Sequence, residues 1–224
     1  MAAVNNSEKM IPGRAQESLP YWDPRKLLEQ PPVYNFFQKL VRADKPRRKF
    51  VDEIIAPLKS GRVLEVGCGP GTNCEWMPQG FEFVGCDLSD AYIAYARKKY
   101  GNRAAFYRAS VGQLPSLGLK PFKIVIALSL LHHLSDSEVM TLCDEVMPLL
   151  ESGGMFFTAD PCFVVGQTRL EHFITSRDRG RHVRYPEEYK ELLAQKFATV
   201  EMEVARGHGM LIPATGVKLT AHAS

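Results

Sequence analysis

The chain has 224 residues, 45% of them hydrophobic and 24% charged, with a net charge of +3. That length suits one domain with a full core, and the charge is too small to mark nucleic acid or an anionic membrane as a partner. No apolar run approaches the roughly 20 residues that span a bilayer, and the N-terminal stretch lacks the apolar core of a secretory signal. Five scattered cysteines without CxxC pairs (Cys68, Cys74, Cys86, Cys143 and Cys162) read as reduced thiols, so the expectation is a cytoplasmic protein with no metal site.

Residues 1–44 begin polar and Pro/Gly-punctuated, then carry apolar residues at helical spacing broken by Pro31-Pro32, and are expected to form an N-terminal segment or lid. A helix is predicted over 46–58, with Pro46 in its first turn and Phe50, Val51, Ile54, Ile55 and Leu58 on one face. From Arg62 the period changes. Short strand-like runs fall at 63–66, 81–86, 104–107, 122–128, 155–159, 199–205 and 217–221, with helices at 91–100, 136–150 and 186–197. Buried strands alternating with helices indicate an α/β domain, a mostly parallel sheet with helices on both faces. The last two runs have no helix between them, which predicts an antiparallel hairpin at the end of the chain. Residues 45–224 are read as a single domain with an insert at about 161–185.

The stretch VLEVGCGPGTN, 63–73, runs a predicted strand into Gly67, Gly69 and Gly71. Glycine allows the backbone angles of such a turn and lets main-chain atoms approach a ligand. The next strand ends at Asp87, where an acid accepts hydrogen bonds from the two hydroxyls of a ribose. The ligand is therefore expected to contain a nucleoside. A dinucleotide fingerprint would read GxGxxG, and here the third glycine comes one position early, with Thr72 in its place. Glu65, two residues before the first glycine, is a poor neighbour for a pyrophosphate and a good one for an ammonium. The bland alternative is a tight turn with an incidental acid.

Glu65, the GxGxG spacing and the offset to Asp87 resemble the first motifs of class I S-adenosylmethionine-dependent methyltransferases. RASVGQLP, 108–115, resembles the third cofactor motif, with Ser110 where the family usually has an acid and Val111 beside it. FKIVIALSLLHHLSD, 122–136, resembles the fourth strand and its turn, and LLESGGMFFTAD, 149–160, the fifth strand. The resemblance implies a Rossmann-like three-layer sandwich with a seven-stranded sheet and a small-molecule, bacterial type of enzyme. It implies S-adenosyl-L-methionine as cofactor, leaving as S-adenosyl-L-homocysteine. Its site would comprise Glu65, Gly67, Cys68, Gly69 and Gly71 in the turn, Asp87 and Leu88 after the second strand, and Ser110 and Val111 at the adenine. Leu128 would border the methionine part, and Tyr34 would reach in from the N-terminal segment.

Methyl transfer from a sulfonium needs chiefly alignment, and a base only where the acceptor arrives protonated. His133 and His132, just past the fourth strand, are the candidate bases. Packing of the turn is the competing role for both. Asp160, ending the fifth strand, is expected to point towards the acceptor or to form a turn with Pro161. The insert carries Arg169, Arg177, Arg179, Arg181 and Arg184, either as contacts to an anionic acceptor or as a solvated face paired with acids. The function expected is methylation of a small-molecule acceptor, at oxygen before nitrogen or carbon. The alternatives are a rearrangement or cyclisation on the same cofactor and a non-catalytic binding module.

Overall fold

The computed structural model describes residues 44–178, 180–206 and 215–222. Tyr34, Arg179 and the expected N-terminal segment before residue 44 lie outside them.

The chain enters through helix α1 (Asp44–Phe50), which passes into a π-helical turn (Val51–Ile55) and a 3-10 turn (Ala56–Leu58). Apolar spacing predicts one helix here, and the path is continuous, but its hydrogen bonding changes. Pro57 has no N–H to return to the Glu53 carbonyl, and Ala56 N–H bonds instead to Val51, five residues back.

Seven strands follow: β1 (Gly61–Val66), β2 (Phe81–Asp87), β3 (Ala104–Arg108), β4 (Phe122–Leu128), β5 (Leu150–Pro161), β6 (Thr199–Arg206) and β7 (Thr215–His222). Their order across the sheet is β3-β2-β1-β4-β5-β7-β6. The first five are parallel, and β7 lies antiparallel between β5 and β6. Every strand read from the alternation is present, including the closing hairpin. β5 is longer than its apolar run: between Leu150 and Met155 it bulges against the single residue Lys123 of β4, and Gly153 takes φ 72° there.

The helices are α2 (Asp90–Tyr100), α3 (Asp136–Val146), α4 (Arg169–Ser176) and α5 (Pro186–Ala194). Ser89 caps α2, while Ser135 and Thr168 close capping boxes on α3 and α4 with Glu138 and Glu171. α4 sits inside the insert, where one reading of the sequence places a solvated helix face. Among the described residues no helix is long and apolar enough to cross a membrane.

Strand parity divides the core in two. Leu64, Val66, Val125, Ala127 and Phe156 face α3 and α5. Val63, Ile124, Ile126 and Phe157 face α1 and α2. Because neighbouring residues of a strand point to opposite faces, Glu65 belongs to the α1 side and Asp160, three residues after Phe157, to the α3 side. The five cysteines are free and buried in these layers.

Candidate active site

The turn after β1 is built as its glycines predict. Gly67, Gly69 and Gly71 have φ of 76°, 54° and 74°, values that side chains disfavour. At Gly71 a Cβ would also stand 2.6 Å from the Phe106 ring. The chain then makes only a 3-10 turn (Thr72–Trp76) instead of a full helix. The amides of Gly67 and Cys68 both donate to the Cys86 carbonyl, tying the turn to the end of β2.

Asp87 completes that tie. Its Oδ2 accepts from Gly69 N at 2.8 Å and its Oδ1 from Ser89 N at 2.8 Å. The carboxylate thus orders two turns at once, and each oxygen keeps a lone pair. Leu88, next to it, is 62% exposed. Ser110 directs its hydroxyl and amide to Gln113 Oε1, closing its own loop, and Val111 packs against the core.

Glu65 is 1% exposed. Asn73 Nδ2 donates to its Oε1 at 2.5 Å, while its Oε2 is buried without a partner among the described residues. Burial pushes its pKa up to about 8, against the Asn73 hydrogen bond and the Arg47 charge, which favour ionisation. Asn73 is the residue the sequence reading passed over, since nothing in its spacing marks it as the partner of an acid eight positions back.

From this turn a trough of about 370 Å³ runs beneath α1. Its floor crosses strand ends in sheet order, from Glu65 and Gly67 to Leu128 and Ser129, then Phe157 and Ala159, then Lys218 of β7. Ser129 holds φ 55° and donates its amide to the Ala159 carbonyl, a strained turn at the centre of the floor. Phe50 of α1 packs on Phe157, ring centroids 5.0 Å apart. Of the predicted cofactor residues, Glu65, Gly67, Cys68, Gly69 and Leu128 line this trough. Gly71, packed against Phe106, does not, and neither do Asp87, Leu88, Ser110 and Val111, which lie beside it past β2 and β3.

His132 and Asp160 belong to the other layer. His132 is 3% exposed; its Nδ1 lies 2.8 Å from Asp160 Oδ1 and its Nε2 3.2 Å from Asp178 Oδ1. Burial alone lowers its pKa, but the two carboxylates outweigh that and push it up to about 9. Burial works the other way on Asp178, yet His132 and the Gly180 amide hold its carboxyl below the usual range. Both ring nitrogens of His132 therefore face carboxylates, and one oxygen of Asp160 is engaged by the His132 ring and amide. His133 is exposed, its ring centroid 4.1 Å from that of His132. None of the three lines the trough.

This clamp on His132 fastens the insert. Gly180 packs so tightly that a Cβ would overlap His132 Cδ2, and His182 N donates to the His132 carbonyl. Arg184, buried, donates to Asp136 and to the carbonyls of Leu131, Leu134 and His182. Tyr189 joins in, donating its hydroxyl to the Pro161 carbonyl. Arg184 is thus a structural tie, whereas Arg169, Arg177 and Arg181 are exposed. A separate open cleft lies here, lined by residues such as Phe163, His172, Arg184 and Glu188.

A glycine turn locked to an acid at the end of β2, a buried glutamate beside it and this strand order are the features that a resemblance to class I S-adenosylmethionine-dependent methyltransferases implies. The methyltransferase domain family model matches residues 63–154. The chain is 29% identical over 142 residues to a ubiquinone biosynthesis O-methyltransferase of Nitrosomonas europaea, covering 61% of this chain and 55% of that one. The chain spans about half the length of the curated relatives it matches. Its fold is shared with a SAM-dependent methyltransferase from Archaeoglobus fulgidus, at TM-score 0.62 and 18% identity over 84% of this chain and 98% of that one. It is shared too with the magnesium protoporphyrin IX methyltransferase of Synechocystis PCC 6803, solved with bound SAH, at TM-score 0.59 and 19% identity over 84% of this chain and 88% of that one.

Proposed function

We propose that the protein transfers a methyl group from S-adenosylmethionine to a small-molecule acceptor, with oxygen as the acceptor atom. Glu65 carries the reading: a buried carboxyl with one oxygen unpartnered, facing the trough at the glycine turn. An orphaned acid of that kind is stabilised by a cation, and the amino-acid end of the cofactor brings an ammonium. The remaining lone pairs of Asp87 suit ribose hydroxyls, exposed Leu88 offers an apolar surface for a base, and Leu128 and Ser129 border the methionine arm. The choice of oxygen rests on the curated relatives, whose names specify O-methylation.

The cofactor, when bound, supplies a methyl carbon already activated by a sulfonium charge. What these residues contribute is binding and alignment, which is worth ~7–11 kcal/mol in well-oriented reactions. His132 has no part as a base in this reading, because both its ring nitrogens face carboxylates. The division into a segment at 1–44 and one domain at 45–224 is part of the same proposal.

Thermal unfolding with S-adenosylmethionine, S-adenosylhomocysteine or NAD tests it. At a hundred times the dissociation constant the two sulfur nucleosides should raise the midpoint by about 5–10 °C, and NAD should not. A rise with NAD alone would overturn the reading. Methyl-labelled cofactor then distinguishes transfer, which moves the label to a second molecule, from a rearrangement, which leaves it in place.

A further inference from the structure

The trough has two ends, and cofactor recognition accounts for only one of them. Glu65 and the glycine turn stand at β1. Lys218 stands at β7, three strand spacings or about 14 Å across the sheet. Between Leu128 and Lys218 the floor is Phe157 and Ala159, and the roof is Phe50 and Ile54 of the entering helix. These four residues are apolar, and Arg47, Lys49 and Glu53 of the entering segment also line the trough. At about 370 Å³ for both ends together, the space beyond a methionine arm suits a single ring and not a polymer.

Lys218 gives this end its chemistry. On one side Nζ meets both oxygens of Glu203, at 3.3 and 3.2 Å. On the other, Glu53 lies at 3.9 Å, an ion-pair distance too long for a hydrogen bond, and Glu53 is itself shared with Lys49 at 3.6 Å. An ammonium has three donors. Glu203 engages one side of it, so a donor remains for an oxygen that enters the trough. The π-helical turn that carries Glu53 and Ile54 over this end is a local departure of the kind found at functional sites. The arginine-rich insert, by contrast, is fastened to the opposite layer through His132 and Arg184.

We propose that the methyl acceptor is a single-ring aromatic hydroxy acid that binds at the β5–β7 end of the trough, between Phe157 and Ala159 below and α1 above, with its carboxylate on Lys218 Nζ. This rests on the methyltransferase reading and assigns its acceptor end. It makes Lys218 a specificity-determining residue and removes Arg169, Arg177 and Arg181 from substrate contact.

The test is calorimetry on protein saturated with S-adenosylhomocysteine, using 3,4-dihydroxybenzoate and its uncharged methyl ester as probes. Wild-type protein should bind the acid at least tenfold more tightly than the ester. Lys218→Met should abolish that preference while binding S-adenosylhomocysteine within threefold of wild type, which also certifies its fold. The triple variant Arg169→Ala, Arg177→Ala, Arg181→Ala should keep the preference. The proposal is overturned if the triple variant loses the acid while Lys218→Met keeps it. It is equally overturned if neither probe binds the loaded wild-type protein. Failure of S-adenosylhomocysteine itself to bind is a different result: it sinks the methyltransferase reading, and this inference falls with it.

Discussion

The trough at the glycine turn and the clamp at the insert both bury charged groups, and Glu65 Oε2 and Asp160 Oδ2 alike have no hydrogen-bond partner among the described residues. But only the clamp sets a protein cation against its acid. At the clamp His132 has a carboxylate on each ring nitrogen, and Arg184 is engaged with Asp136 and three carbonyls. At the trough, among the described residues, Glu65 has one hydrogen bond, from Asn73, and one oxygen without a partner. A satisfied buried charge holds protein to protein. An unsatisfied one is costly alone and becomes favourable when a ligand of opposite charge arrives. Histidines and arginines draw attention in the sequence as chemical residues, yet His132 and Arg184 fasten a loop, and the trough at the glycine turn is lined by a glutamate and backbone.

Substitution on each side should separate the two. The largest effect is expected from His132→Leu, which leaves Asp160 and Asp178 without their shared cation. Breaking a buried pair costs ~3–5 kcal/mol, so urea unfolding should show a loss of that order. S-Adenosylhomocysteine affinity, measured on protein still folded, should change less than threefold. Equal loss of binding would mean that the clamp also shapes the trough.

Glu65→Gln should do the reverse. It keeps the shape and removes the charge, so cofactor affinity should fall by about 100-fold, or ~2.7 kcal/mol. The melting temperature without ligand should stay within a few degrees, because the carboxyl with its pKa near 8 is largely neutral at pH 7. A large drop in stability with intact affinity would make Glu65 structural.

The pH dependence sharpens the same contrast. Glu65 takes up a proton in the free protein below about pH 8. A ligand ammonium favours the ionised form, so binding releases that proton, and affinity should rise with pH between 6 and 8 by at most tenfold per unit. Glu65→Gln should flatten this slope in calorimetric titrations. At the clamp the folded pKa of His132 is about 9 against an ordinary 6.5. The folded protein therefore binds the extra proton between those values. The stabilisation is fully present below pH 6.5 and is lost as pH rises towards 9, by at most ~1.4 kcal/mol per unit. Urea midpoints at pH 6.5 and 9 should show the loss in wild type, and His132→Leu should show less of it.

The smallest effect is expected at the loop that closes on Gln113. Gln113→Ala removes the bonds that hold Ser110. At this exposed site it should cost ~1 kcal/mol or less by urea unfolding and change cofactor affinity only modestly.

What the sequence by itself determined is local in the chain. Alternation with period two marks every strand, and a bare GxGxG after a strand demands left-handed backbone whatever surrounds it. Asp87 is legible for the same reason, since its place follows from the end of the next strand. What the tertiary structure decided depends on parity and on distance. A single step along β5 puts Ala159 on the trough and Asp160 against His132, and no motif states which face a loop residue will join. Asn73 meets Glu65 through the shape of the turn, Asp178 reaches His132 across a returning insert, and Lys218 comes to the trough only because β7 inserts beside β5. Such contacts form when the sheet closes and the layers pack, so their partners are fixed by the assembled fold and not by spacing in the chain.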